Sequence, residues 1–390
     1  MCRHRSHFSA RFAFALLALA TLSLSGKSIA EQPFLDRFDV VNTFASTVPA
    51  NGDVNPYGVA VVPQSVGMLK HGQILVSNFN NDLNPPAGQQ GTGKTIVQIG
   101  PDGSVSLFAE IDPASVAGEC PGGVGLTTAL VVLRRGWVIV GSLPTTDGMS
   151  ATMSPGCLIV LDSQGHVVET FQGGGISGPW DMTALDEDNN AWLFVTNVLN
   201  GNVATGTPPA IHQGTILRIP LVVPKQGEGM PTAGPMTVIG SEFPETADPA
   251  ALVIGPTGVG LANDGTLYVA DTVDNQIVAI PNALTRQTTA FTGVTVTFNG
   301  ALNSPLGLAI APNGHIITAN AADGNLVETT PGGQQVAVKT VDTVTGAGSL
   351  FGLAIVPDGE GVYFVDDGDN TLKVFERKHP RGNDDSGGDN

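Results

Sequence analysis

Three things are scarce in this chain of 390 residues: basic side chains, cysteine, and apolar patterning of helical period. Lysine and arginine number 17 against 35 aspartates and glutamates, a formal charge of −18. A surface that acidic repels phosphate backbones and anionic lipid, so nucleic acid is excluded as a partner. Cysteine occurs three times. Cys2 stands before the first apolar run and cannot carry the lipid of a bacterial lipoprotein signal, which leaves Cys120 and Cys157 as an even pair suited to one disulfide in an exported chain. No Asn-x-Ser/Thr sequon is present, which favours a bacterial over a glycosylated source. Past residue 30 no helical periodicity survives, and 50 glycines with 27 prolines fit an all-β chain rich in turns. Gly-x-Ser-x-Gly elbows, phosphate loops and metal-type histidine spacings are missing too.

What the N-terminus does contain is a signal peptide pattern over residues 1–30. Arg3, Arg5 and Arg11 precede an apolar run from Phe12 to Leu24, and Ser28-Ile29-Ala30 ends it with small residues. The run falls short of the roughly 20 residues a membrane span needs, so no span is expected once the signal is cleaved. Removing Arg3, Arg5, Arg11 and Lys27 with it takes the formal charge from −18 to −22. A secreted or periplasmic, monomeric product is expected.

One unit is then written three times. Gly258-Val-Gly-Leu-Ala-Asn-Asp-Gly-Thr-Leu-Tyr-Val-Ala-Asp271, Gly307-Leu-Ala-Ile-Ala-Pro-Asn-Gly-His-Ile-Ile-Thr-Ala-Asn320 and Gly352-Leu-Ala-Ile-Val-Pro-Asp-Gly-Glu-Gly-Val-Tyr-Phe-Val-Asp366 each give an apolar strand, an Asn/Asp-Gly turn and a second apolar strand. Their anchor glycines lie 49 and 45 residues apart, the period of a four-stranded propeller blade. Looser copies begin at Pro56-Tyr57-Gly58, Gly125-Leu126 and Pro179-Trp180-Asp181. Six units predict a six-bladed β-propeller of four-stranded antiparallel blades over residues 31–378, followed by a disordered acidic tail at 379–390. The last blade stops after its third strand, Thr371 to Glu376, and the segment Asp39 to Phe44 is expected to supply the fourth and close the ring.

These hairpins, most clearly Asp264-Gly265-Thr-Leu-Tyr-Val-Ala-Asp271-Thr-Val-Asp274-Asn275, resemble those of the NHL-repeat propellers. The resemblance runs over nearly the whole mature chain, strong in blades four to six and loose in blades one to three. In fold it extends to the gluconolactonase and regucalcin group and to the streptogramin lyases, so it implies a propeller while leaving open lactonase, lyase or pure binding scaffold.

Propeller strand order puts blade-to-blade links and second-to-third strand links on one face and the tight hairpins on the other. Long insertions at 79–93, 143–156, 198–213, 111–122 and 241–254 all fall on the first face, which is therefore the expected binding face. At the channel mouth on that face, the residues before each anchor position are Tyr57, Val124, Trp180, Thr257, Leu306 and Phe351. An apolar, aromatic ring there, with Asp181 where a glycine would stand, suits a small molecule, a glycan face or a protein as ligand; a channel plugged by the same side chains is the alternative.

The lactonase and regucalcin resemblance implies an axial divalent metal held by Glu, Asn and Asp residues, but Tyr57, Trp180, Thr257, Leu306 and Phe351 supply no carboxylate, so neither metal nor cofactor is expected. The streptogramin lyase resemblance implies a histidine base on the ligand face, for which His212 in a long blade-three loop is the candidate. Asn78, Asn197, Asp271, Asn320 and Asp366 end second strands and read as turn-forming residues. The expected function is a secreted binding scaffold acting through the loop-rich face of blades one to four. The alternative is a hydrolase or lyase at the mouth using Asp181 and His212.

Overall fold

Each Asn/Asp-Gly pair between two apolar runs closes a tight hairpin, and the glycines at 265, 314 and 359 have φ of 81°, 79° and 71°, a left-handed backbone that glycine adopts without steric cost. Repeated along the chain, these hairpins build six antiparallel sheets. The structure, a computed structural model, describes residues 1–2, 32–81, 89–116, 119–120, 122–201, 210–343 and 349–378, and the propeller unit begins at Pro33. All but the first two residues of the expected signal peptide, and the whole of the expected disordered tail, lie outside the described residues. Among the described residues no helix is long and apolar enough to cross a membrane.

The first, innermost strands of blades one to six are Asp53–Val61, Leu126–Val132, Gly178–Asp186, Pro256–Leu261, Pro305–Ile310 and Leu350–Ile355. Blades two, four, five and six have four strands each. Blade one adds the two-residue strand Gln89–Gln90, and blade three adds Thr232–Ala233 and Leu252–Ile254. Sheet faces pack blade on blade: Trp137, Leu158 and Phe171 of blade two bury against Leu193 and Leu217 of blade three, and Phe194 and Phe243 of blade three against Leu267 and Val278 of blade four. At roughly 25 cal/mol per Å² of apolar surface removed from water, these interfaces are the main favourable term in the fold.

Ring closure follows the expected route. Val40–Ser46 pairs antiparallel with Thr371–Glu376, setting Val41 opposite Phe375 and Asn42 opposite Val374. Ahead of that strand, Phe34 and Phe38 meet edge-to-face at 5.0 Å and Phe38 meets Phe375 at 5.7 Å. The backbone N–H groups of Phe34 and Leu35 both donate to the buried Glu328 carboxylate at 2.8 Å, which ties the entry segment to blade five as well as blade six.

The cysteine pair forms as expected. Cys120, in the link between blades one and two, is bonded to Cys157 at the head of the blade-two strand Cys157–Leu161, with Cα atoms 5.3 Å apart. By the chain-entropy model, closing a loop of 37 residues contributes about 3–4 kcal/mol.

Candidate functional site

The six innermost strands enter the ring in one register. In successive blades Pro56, Leu126, Pro179, Pro256, Pro305 and Leu350 pair opposite Asn78, Ser142, Asn197, Asp271, Asn320 and Asp366 near the ends of the second strands. The ladder shifts immediately afterwards in every blade. Two residues along, or three in blade two, stand Gly58, Ala129, Asp181, Gly258, Gly307 and Gly352. Inner strands of neighbouring blades come closest there: a Cβ on Gly307 would collide with the Phe351 carbonyl oxygen, and one on Gly352 with that of Tyr57. Blade two therefore departs from the sequence reading. A Cβ on Gly58 would likewise meet the Thr128 carbonyl, so the residue equivalent to Tyr57 and Trp180 is Thr128, not Val124: Gly125 imitates the anchor four residues too early, and Val124 packs in the cluster beside Cys120 and Leu126.

The expected ring of ligand contacts is instead a plug. Tyr57 stacks on Phe351 at 3.7 Å and on Phe79 at 4.5 Å, and Trp180 lies nearly parallel to Phe351 at 6.1 Å. Leu306 joins the same apolar cluster. Tyr57 and Trp180 are each 3 % exposed, Leu306 2 % and Phe351 and Thr257 0 %, so this ring offers a ligand almost no surface. Thr257 turns its hydroxyl inward, bonded to Thr272 at 2.6 Å and to the Pro305 carbonyl.

A segment of the chain itself occupies the position expected for a ligand. Residues 241–254, read from sequence as a long link, continue the outer strand Thr237–Asp248 of blade three and fold back through Leu252–Ile254, pairing Asp248 with Leu252 and Thr246 with Ile254. The tip of this hairpin lies over the axis. Its carbonyls accept hydrogen bonds from three blades: Pro249 from Gln90 Nε2 at 2.7 Å, Ala250 from Tyr57 Oη at 3.4 Å, Leu252 from Ser150 Oγ at 2.7 Å, and Val253 from Trp180 Nε1 at 2.9 Å. A buried indole N–H and a buried phenol each need an acceptor, and the hairpin supplies both. Burial first, then the negative charges of Asp367 and Asp248, push the Tyr57 phenol well above its ordinary value, so it stays a donor. Thr145 of blade two donates to the Gln90 carbonyl at 2.5 Å, so insertions of blades one, two and three interlock in one cap.

Asp181 sits beneath this plug. It is 8 % exposed. Its carboxyl accepts from the backbone N–H of Met182 at 2.7 Å and, across to blade four, from that of Val259 at 3.2 Å. Desolvation outweighs these two donors and pushes the group up to about 8. His212 is not in a loop: it is the second residue of the strand Ile211–Val222, exposed and opposite Pro244. No hydrogen bond joins the two catalytic candidates. Glu245 in the cap hairpin escaped the sequence reading. Burial pushes its carboxyl to about 7, although the backbone N–H groups of Leu199, Gly201 and Asn200 lie alongside without closing a full hydrogen bond.

The polar residues ending the second strands hold structure. Asn197 Oδ1 accepts from the N–H of Ser177 and Gly178, Asn320 Nδ2 donates to the Ala301 carbonyl at 2.7 Å, and Asp366 Oδ1 accepts from the N–H of Gly368. Among the described residues no three His, Cys, Asp or Glu side chains converge as a metal site. The axial positions hold aromatic and aliphatic side chains with the one carboxyl of Asp181, so they do not fit the hard-oxygen cage that the lactonase and regucalcin resemblance implies.

No family model matches the sequence, and no curated protein matches it. Solved structures do. A gluconolactonase from Xanthomonas campestris is 11 % identical with a TM-score of 0.53, covering 87 % of this chain and 90 % of its own. Regucalcin from Agrobacterium tumefaciens, a calcium-binding protein, is 13 % identical with a TM-score of 0.50 over 85 % of this chain and 92 % of its own. A luciferin-regenerating enzyme is 11 % identical, also at 0.50, over 86 % and 94 %. The chain is a six-bladed propeller of the same architecture as these proteins.

Proposed function

We propose that the protein is an exported, NHL-like binding propeller that takes its ligand or partner protein on the loop-rich face of blades one to four. The observation that carries this reading is the cap: loops of three blades are locked together by side-chain to carbonyl hydrogen bonds, with the Cys120–Cys157 bridge beside them. Such a surface is ordered before binding, so little conformational entropy is lost on association. The disulfide also supports an oxidising compartment, as export would provide. The axial aromatic residues act in this reading as the support of the surface and not as its contact points.

Metal analysis of the purified protein combined with a lactone and ester turnover screen tests the proposal. Sub-stoichiometric metal and no turnover are expected. Turnover with one tightly held divalent ion per chain would overturn it. The second reading, a lactonase-like hydrolase or a lyase, draws on the fold shared with the gluconolactonase and on Asp181, an axial acid held near neutrality. It predicts turnover that Asp181→Asn abolishes.

A further inference from the structure

On the hairpin face, opposite the cap, the channel is open. A cavity of about 410 Å³ runs inward between the second halves of the six innermost strands. Residues toward the plug, such as Val59, Met182 and Val259, are buried, whereas Val61, Leu261 and Ile355 at the outer end are half-buried, so the cavity opens away from the loops and ends beneath the aromatic stack.

Two buried polar side chains interrupt its inner wall, deeper than the half-buried Thr183: Asp181 stands at the close-approach position that is glycine in blades one, four, five and six, and Thr128 at the ring position held by Tyr57 and Phe351 in theirs. Thr128 is 4 % exposed, and its hydroxyl has no hydrogen-bond partner. A buried hydroxyl left unbonded destabilises the fold unless something in the cavity satisfies it. Asp181 is the other. Its two accepted backbone bonds leave it without a counter-charge, and no lysine, arginine or histidine lines the cavity. The other lining carboxyl, Asp186, accepts the N–H groups of Arg134 and Asp188 at the rim. Apolar walls, one acid at depth, an unsatisfied hydroxyl one blade away, and a net negative chain describe a receptacle for a cation with an aliphatic or aromatic body. An anion would find no cationic side chain in the lining.

We infer that the central channel is a second binding site, entered from the hairpin face, which takes a small organic amine as its ammonium ion against Asp181 and Thr128. It is independent of whatever the loop face binds. The proton balance is explicit: a carboxyl that is protonated in the free protein near pH 7 releases its proton as the ammonium arrives, so binding liberates up to one proton per site.

Calorimetric titration of the full-length mature protein with n-butylamine at pH 7, in two buffers of different ionisation enthalpy, with n-butanol as the neutral comparison, reads this directly. Saturable binding of the amine with net proton release is expected, and much weaker binding of the alcohol. Asp181→Asn should weaken the amine by about tenfold or more, the worth of a charge-assisted hydrogen bond, and abolish the buffer dependence. Thr128→Val keeps the shape, and a several-fold loss is expected from it; it also decides the matter if the Asp181 variant melts early. Absence of saturable amine binding, equal binding of butanol, or unchanged affinity in a folded Asp181→Asn protein would each overturn the inference.

Discussion

Burial pushes the carboxyl of Asp181 up to about 8 and those of Glu245, Asp271 and Asp367 each to about 7. In each case the folded protein holds a proton that the unfolded chain releases near pH 4, so the associated stability is complete below that pH and is lost as pH rises through the folded value. The molecule should therefore weaken between about pH 4 and pH 8. Asn at position 181 cannot ionise, so the difference in melting temperature between Asp181→Asn and the parent should shift in favour of the variant across that interval. On the order of 1–3 kcal/mol, a few degrees, is expected. Melting curves at pH 4, 6 and 8.5 check it, and a gap that stays constant would mean that Asp181 is ionised in the folded state. Asp181 was legible in sequence because it breaks a glycine pattern. Thr128 was not, because blade two carries a residue more between its first and second ladder pairings and offers Gly125 as a false anchor.

Among the elements, the strand Val40–Ser46 shows what alternation alone can predict. Phe38 to Phe44 has no blade of its own, the last blade lacks a strand, and each would otherwise leave an unpaired edge. Their pairing, together with the two N–H bonds to Glu328 and the Phe34–Phe38–Phe375 packing, joins blade six to the start of the chain. Deleting residues 31–46 should lower the melting temperature sharply, by well over the few degrees typical of a surface change, and expose an edge that recruits a second chain. Thermal melting with light scattering reads both effects. A truncated protein as stable and monomeric as the mature chain would refute the closure role. The cap hairpin was invisible by the same logic. Glu242-Phe-Pro-Glu-Thr-Ala-Asp248 has no clean period-two pattern, and its strand state is imposed by pairing to Ile211–Gly214 and Leu252–Ile254.

At the scale of the whole molecule, the ring has two unlike ends. Six nearly equivalent hairpins leave one end of the channel open, whereas the insertions of blades one to three close the other, with aromatic residues filling the axis between them. Near-symmetry made the blades legible as repeats; the asymmetry arises from insertions of differing length that carry no repeat to compare. The same division makes the cap separable from the ring, because the inner strands pair within their own blades and only side chains reach the hairpin tip. Replacing Pro249–Ala251 by two glycines should therefore leave the propeller folded while uncovering Tyr57 and Trp180. Exposing that much aromatic surface costs about 2–4 kcal/mol, which should appear as a melting temperature lower by several degrees. It should also appear as new binding of a hydrophobic dye, with the strand signature in circular dichroism unchanged. A variant that melts like the parent and binds no dye would show that the plug stays covered without the hairpin, and that the loops of blades one and two suffice to seal the channel.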